Sequence, residues 1–159
     1  RARVDPERVA FAHRYITRPA DPAAENHVVL SLAEFISRRA AGFFALAWES
    51  HGFMYAIGTE IDPWLDYGLV VVTSGARGAW PAALQRYPDA TGIVIDAPSD
   101  VRAQRLASRG REDPQAIRTR LQRAIIVPTS KGVHRLDNSG PVAFAGDALV
   151  RLLEDCQGG

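Results

Sequence analysis

The sequence lacks the features that mark secreted, membrane-spanning and nucleic-acid-binding proteins. Its 159 residues include one cysteine, Cys156, so an internal disulfide is excluded and no cysteine pair can hold a metal ion. No apolar run approaches the length of a membrane span. Basic and acidic residues number 19 and 18, a balance that gives no general attraction to nucleic acid or to a membrane surface. These absences predict a cytoplasmic protein with neither nucleic acid nor membrane as a partner.

The length and composition are typical of one globular domain. A hydrophobic fraction of 47% in 159 residues is enough to bury a core. The first residues, Arg-Ala-Arg-Val-Asp-Pro, contain neither an initiating methionine nor a secretion signal. We therefore expect residues 1–159 to form a single domain, and the sequence leaves the choice between a monomer and a homodimer open.

The stretch 12–31 organises the N-terminal region. If residues 9–18 form a strand, side chains alternate between its faces, so that Arg14, Ile16 and Arg18 share one face until Pro19 ends the strand. Two guanidinium groups beside a turn suit a ligand that carries phosphate, because the planar fork binds phosphate oxygens in pairs. A solvated edge strand decorated with arginines fits the same spacing.

The residues that follow predict a small, mostly antiparallel sheet with one helix. Ser31 and Glu34 form a capping box, which predicts a helix that runs to about residue 41. Two β-rich runs, 43–48 and 53–57, are separated by a turn that contains a glycine, at 49–52, and this pattern is typical of a hairpin.

The pattern changes after residue 68 to buried strands that alternate with helices. Continuous apolar runs at 69–73 and 92–97 predict strands covered on both faces, and residues 133–137 predict a short final strand. Helices are predicted at 60–67, 78–87, 98–109, 114–126 and 142–155. Strands that alternate with helices in this way predict an α/β fold with a parallel sheet and crossover helices.

Several motifs resemble those of a known family. They are HRYITRP at 13–19, ENH at 25–27, the serine-acid helix start at Ser31, and RLASRGRE at 105–112 followed by IRTRL at 117–121. The sequence resembles the guanylate-kinase-like phosphotransferases, and most closely the ribose 1,5-bisphosphate phosphokinases of phosphonate metabolism. The resemblance implies a P-loop NTPase fold of the nucleoside monophosphate kinase type, in which helices cover both faces of a parallel sheet. It also implies a substrate-binding insert at 12–57 and a lid at 109–120.

The glycine-rich P-loop of this family, GxxxxGK[ST], is missing from the sequence. Its backbone amides would cradle the phosphates of ATP. The resemblance implies that the missing first strand lies between the strands at 69–73 and 92–97, at the centre of the sheet, where its loss would leave backbone groups unpaired. We therefore expect the chain to be an N-terminally shortened version of a longer protein and inactive by itself. The rival explanation is a natural relative that has lost the loop and only binds.

The resemblance assigns the binding of the acceptor phosphate to Arg18 and Tyr55. Arg14 takes the position of a small hydroxyl residue of guanylate kinases, and His27 takes the position of a phosphate-binding tyrosine. The implied phosphate site therefore includes Arg14 and His27 as well. Tyr55 could equally be a core aromatic residue with a hydrogen-bonded hydroxyl.

The family resemblance also indicates which acceptor is bound. Guanine-reading positions of the family match Glu49, Ile57 and Gly75, and only Glu49 retains a polar side chain. A site built to hydrogen-bond guanine would lose most of its discrimination in this way. We expect Arg77 to meet a second phosphate or the ribose of a sugar bisphosphate, and Glu49 to accept a sugar hydroxyl. Arg77 as a surface charge and Glu49 as a turn residue are the simpler alternatives.

The C-terminal arginines match the nucleotide side of the family's site. The resemblance assigns contact with the transferring phosphate to Arg109 and Arg120, packing against adenine to Arg105, and an adenine-edge contact to Asn138. Arginines near helix C-termini also occur simply as solvated charges.

The implied reaction transfers the γ-phosphate of ATP to ribose 1,5-bisphosphate and forms 5-phosphoribosyl 1-diphosphate, with Mg²⁺ bridging the ATP phosphates. The partner is then a small phosphorylated sugar. Two alternatives remain: a guanylate kinase that converts GMP to GDP, and a non-catalytic guanylate-kinase-like binding module.

Overall fold

The computed structural model describes residues 3–19, 27–108 and 132–156. The chain divides into two compact units, of which the first runs to Ala90 and resumes at Leu153, and the second is Thr91–Leu152. The strands are β1 (Val9–Phe11), β2 (Arg14–Ile16), β3 (His27–Val29), β4 (Phe44–Ser50), β5 (Phe53–Gly58), β6 (Val70–Val72), β7 (Gly92–Asp96) and β8 (Val133–Asp137). The helices are α1 (Leu32–Ala40), α2 (Ile61–Asp66), α3 (Trp80–Arg86), α4 (Ser99–Ser108) and α5 (Val142–Asp155).

The first unit contains a four-stranded sheet of order β3-β2-β5-β4. β2 pairs with β3 in parallel, whereas β5 pairs antiparallel with both β2 and β4. The predicted small sheet of mostly antiparallel strands is thereby confirmed.

Residues 9–18 do not form the single strand that the alternating pattern predicts. Val9–Phe11 pairs in parallel with β6, and the amide of Ala12 still donates to the Val72 carbonyl at 3.0 Å. The chain then leaves β6, and Arg14–Ile16 pairs with β3 and β5 in a different sheet. The single-strand prediction was wrong because each half finds its own backbone partners, and those partners lie far away in sequence.

Helix α1 covers one face of the four-stranded sheet. Its capping box is confirmed at the N-terminus, where the Ser31 hydroxyl accepts from the Glu34 amide at 3.1 Å. Phe35 is fully buried and packs with Leu30 and Ala56. Partly buried apolar side chains surround these three: Tyr15, Val28, Phe44, Ala47 and Met54.

The β4–β5 hairpin has a shorter turn than the sequence suggests. Strand pairing continues to Ser50 and Phe53, so only His51 and Gly52 make the turn. Both have positive φ, 54° and 74°, as a two-residue turn of this handedness requires. Glu49 and Ser50, predicted to lie in the turn, therefore belong to β4.

Two clusters of partly exposed polar side chains lie at the connections of this unit. The Glu60 carboxylate lies 3.6 Å from His13 Nε2 and also hydrogen-bonds Tyr15. Burial and then the negative charge of Glu60 raise the pKa of Tyr15. In the first turn of α2, Asp62 accepts from Arg86 and from the Tyr87 hydroxyl, both at 2.6 Å.

In the second unit, β7 and β8 are parallel over five residue pairs, from Gly92–Val133 to Asp96–Asp137. The two parallel pairs, β1–β6 and β7–β8, confirm the predicted parallel pairing, and α5 has the predicted bounds. Within the described residues, β6 pairs only with β1 and β7 only with β8. A strand between β6 and β7 stays a prediction, and the predicted lid at 109–120 and helix at 114–126 lie outside the described residues.

None of the helices in residues 3–19, 27–108 and 132–156 combines the length and the apolar character needed to cross a membrane.

Candidate functional site

One side chain from each strand of the four-stranded sheet contributes to a continuous row across the face opposite α1. His27 on β3 contacts Arg14 on β2, because Nη2 of Arg14 lies 3.1 Å from His27 Nε2. The Arg14 guanidinium carbon lies 5.7 Å from the ring centroid of Tyr55 on β5. The Tyr55 ring stacks on Trp48 of β4, with centroids 5.8 Å apart and planes inclined by 11°. We call these four residues the transverse row.

Strand alternation and register explain why the row forms. Arg14 is paired with His27, and Trp48 is paired with Tyr55, so each pair projects from the same face. Ile16 is paired with Tyr55, which makes Arg14 a diagonal neighbour that a long side chain can reach. The fully buried side chain of Ile16 lies beside the row on the same face of the sheet.

The Arg14–His27 contact orients the guanidinium. A guanidinium can only donate hydrogen bonds, so His27 Nε2 is the acceptor in this contact. The aromatic face of Tyr55 attracts the guanidinium charge without consuming its donors. The arrangement provides a cation whose plane is fixed and which can bind an anionic group.

Two other arginines predicted to bind the acceptor do not contact the row. Arg18 follows β2 by two residues and donates from Nη1 to the Pro19 carbonyl at 2.9 Å. Arg77 is exposed and begins a 3₁₀ turn, Arg77–Ala79, that packs against β4. The structure therefore brings Arg14, His27 and Tyr55 together but joins neither Arg18 nor Arg77 to them through a contact.

Glu49 lies on the other face of the sheet. Its partner across the hairpin is Met54, which packs toward Phe35 of α1, whereas the preceding residue, Trp48, faces Tyr55. Because neighbouring strand residues point to opposite faces, the structure does not bring Glu49 to the transverse row. The position that adjoins the row is Leu46, which pairs with the fully buried Ile57.

In the second unit the structure brings together the two residues predicted for the adenine side. Arg105 on α4 donates to the backbone carbonyls of Asn138 at 2.5 Å and of Gly140 at 3.0 Å. Asp137 orders this loop by accepting from the amide and hydroxyl of Ser139 at 2.9 and 2.7 Å. Both hydrogen bonds lie along the edge of the Arg105 guanidinium and therefore fix its plane.

A cavity of about 500 Å³ lies at the carboxyl ends of β7 and β8. The carboxyl ends of parallel strands are the usual place for ligands in α/β sheets. The lining residues are Asp96, Ala97, Pro98, Ser99, Arg102, Arg135, Leu136 and Asp137. Within the described residues, the buried Oδ1 of Asn138 has no hydrogen-bond partner and is therefore available as an acceptor.

Two further predictions about the nucleotide side concern residues that the structure does not describe. Arg109 and Arg120, predicted to contact the transferring phosphate, lie outside the described residues. In the part of the chain that the structure describes, no three His, Cys, Asp or Glu side chains come together as a metal site would require.

Sequence reasoning missed Trp48 and Asp137 as parts of these sites. Trp48 could have been found by counting back from a two-residue turn at His51 and Gly52, which pairs it directly with Tyr55. Asp137 begins an Asp-Asn-Ser-Gly run, and aspartate in such a run often accepts from a backbone amide two residues later.

Three known proteins to which this chain is similar in sequence share one name. The chain is 55% identical over 146 residues to the ribose 1,5-bisphosphate phosphokinase PhnN of Desulfomicrobium baculatum, covering 91% of this chain and 78% of that protein. It is 53% identical over 156 residues to the protein of the same name in Burkholderia pseudomallei, covering 97% and 84%. The counterpart in Chromobacterium violaceum is 46% identical over 148 residues, with 93% and 80% covered. No protein-family model matches the chain.

Among solved structures, the guanylate kinase of Anaplasma phagocytophilum superposes with a TM-score of 0.70. The match covers 94% of this chain and 76% of that chain, at 15% sequence identity. Similarity at that identity is evidence of the fold alone. The predicted guanylate-kinase-like α/β fold is confirmed.

Proposed function

The chain belongs to the ribose 1,5-bisphosphate phosphokinase family, and from this premise we propose that it carries the acceptor site of an ATP-dependent phosphotransferase. The reaction joins the γ-phosphate of ATP to the 1-phosphate of ribose 1,5-bisphosphate. One P–O bond forms to the acceptor phosphate, the bond between the β- and γ-phosphates breaks, and the products are ADP and 5-phosphoribosyl 1-diphosphate.

Phosphoryl transfer depends on positioning and charge neutralisation more than on covalent catalysis. Arg14 supplies both on the acceptor side. Its guanidinium is oriented by His27 and by the ring of Tyr55, so its donors can meet phosphate oxygens in a fixed geometry. Fixing the acceptor phosphate in this way reduces the freedom that must be lost before the reacting oxygen meets the γ-phosphate.

The choice of a sugar over a purine as the acceptor rests on one observation. The side chains beside the row are apolar. Ile57 and Leu46 pair with each other on the face that carries Arg14 and Tyr55. Aliphatic side chains offer no hydrogen bond to a guanine edge, and a guanine bound there would leave polar groups unpaired. A sugar bisphosphate needs no such partners, and its phosphate can meet the Arg14 guanidinium.

On the nucleotide side, the second unit supports ATP as the donor. The Arg105 guanidinium is held flat by two carbonyls, which suits stacking on adenine, and the buried Oδ1 of Asn138 can accept from the adenine amino group. Roles for Arg109 and Arg120 at the transferring phosphate, and for Arg18, Arg77 and Glu49 at the acceptor, remain proposals from family resemblance.

Magnesium is part of the proposal only through the ATP phosphates that it would bridge. Within the described residues, no three His, Cys, Asp or Glu side chains form a cluster that would hold a metal ion. A reducing compartment such as the cytoplasm is consistent with the single cysteine.

The test compares two acceptors. The protein expressed from its intact gene is incubated with ATP, Mg²⁺ and either ribose 1,5-bisphosphate or GMP, and ADP formation is measured. We expect kcat/KM for the sugar bisphosphate to exceed that for GMP by roughly 100-fold or more, since a site with unpaired polar groups discriminates on this scale. Comparable turnover of GMP would overturn the proposal in favour of a guanylate kinase.

A further inference from the structure

Trp48 differs from the other three members of the transverse row in its relation to the ligand. It carries no charge, and the family resemblance assigns it no ligand contact. It is half-buried on the edge strand β4, and its ring is nearly parallel to that of Tyr55, at 11°. An indole stacked on a phenol ring contributes both area and a preferred orientation. Its contact with Tyr55 therefore limits how that ring can turn.

Tyr55 in turn supports Arg14. Tyr55 is only 8% exposed, so its ring has little room to move from its place between Trp48 and Arg14. The guanidinium carbon lies 5.7 Å from the ring centroid, within the range of a cation–π contact. A guanidinium resting on an aromatic face is confined to one plane, and its N–H groups point along that plane.

We infer that Trp48 is a positioning residue of the acceptor site, which fixes the Arg14 guanidinium through Tyr55 and thereby sets the affinity for the phosphate of a phosphorylated sugar. The inference rests on the proposed function for the identity of the ligand. The chain of contacts itself, from Trp48 through Tyr55 to Arg14, is independent of it. No contact between Trp48 and the ligand is required.

The mechanism predicts a graded effect on binding. Trp48→Leu removes the flat partner of Tyr55 and should weaken binding of ribose 1,5-bisphosphate about tenfold, the scale of one aromatic stacking interaction. Trp48→Phe keeps a flat partner and should restore most of the affinity. Trp64→Leu, a matched loss of indole on α2 away from the row, should leave the dissociation constant unchanged. Calorimetric titration of the full chain measures all three.

A double-substitution cycle separates positioning from a general loss of structure. If Trp48 acts through Tyr55, then Trp48→Leu should add almost nothing to the loss of affinity caused by Tyr55→Leu. Fully additive effects on the dissociation constant would overturn the inference. Thermal unfolding of each variant identifies any that fail to fold.

A ligand-free measurement keeps this inference separate from the proposed function. The Nε of Arg14 is buried, so its proton should exchange slowly enough to give an NMR signal, shifted by the ring current of Tyr55. In Trp48→Leu the signal should move toward the value of an unstacked arginine, and in Trp48→Phe it should stay. An unmoved signal in Trp48→Leu would overturn the inference even if the sugar binds. A moved signal together with no sugar binding by the parent chain would support it and overturn the proposed function.

Discussion

The two faces of the four-stranded sheet are built from the same strands but differ in what they hold. The face toward α1 is apolar, and its centre is formed by Leu30, Phe35 and Ala56, none more than 8% exposed. The opposite face carries the transverse row of His27, Arg14, Tyr55 and Trp48. Alternate residues of one strand thus pack toward α1 on one side and, in the proposed function, supply the ligand contacts on the other. Substitutions on the two faces should therefore separate the loss of folding from the loss of binding.

The largest effect is expected on the α1 face. Phe35→Ala should lower the free energy of unfolding by about 3–5 kcal/mol, because it leaves a cavity where a fully buried ring packs 4.8 Å from the ring of Phe44. Denaturant unfolding of both proteins measures the difference. The control is Leu32→Ala on the same helix, where the side chain is 57% exposed and little stability should be lost. Equal losses in the two variants would show that the α1 face is not the core.

The next effect should concern binding and leave stability nearly intact. Arg14→Lys keeps the charge but loses the planar fork, so the dissociation constant for ribose 1,5-bisphosphate should rise about tenfold. Calorimetric titration gives this value, and denaturant unfolding checks the fold. Arg38→Lys, a matched change at an exposed ion pair with Glu34 on α1, should change neither. An Arg14→Lys variant that is less stable but binds the sugar bisphosphate with unchanged affinity would contradict the account. It would show that the row face contributes to stability, so that the two faces do not differ in this respect.

The smallest expected effect is a pH dependence of the free energy of unfolding, which arises from Tyr15 on the α1 face. Burial and then Glu60 raise the pKa of Tyr15 above its usual value of 10.0, so the folded state favours the neutral phenol. The stabilisation is complete below pH 10 and is lost as pH rises through the raised pKa of the folded state. The unfolding free energy of the parent should thus fall more steeply than that of Tyr15→Phe as the pH rises above 10. Parallel curves for the two proteins would mean that Tyr15 is not held as the structure describes.

Local patterns predicted much of this sheet correctly. The capping box at Ser31, the separation of Arg14 and Ile16 from Tyr15 by alternation, and the bounds of α5 all follow from nearest-neighbour chemistry. Such features depend only on residues within a few positions of one another. They can be recognised without knowing what the segment packs against.

Features that depend on distant partners could not be predicted in the same way. The break between β1 and β2 is decided by β6 on one side and by β3 and β5 on the other. The face to which Glu49 belongs depends on the length of the hairpin turn, which a glycine in the sequence does not fix. Arg105 and the Asn138 carbonyl meet across 33 positions, and the resemblance to a family, not spacing, grouped these two residues.

The measurement that tests the central claim most directly is a titration of the uniformly ¹⁵N-labelled chain with ribose 1,5-bisphosphate, followed residue by residue. The account predicts that the largest shifts occur at the transverse row, above all at the side-chain signal of Arg14, while Phe35 and its neighbours on the α1 face change little. Shifts that centre on the α1 face, or a row that does not respond at saturating sugar bisphosphate, would contradict it.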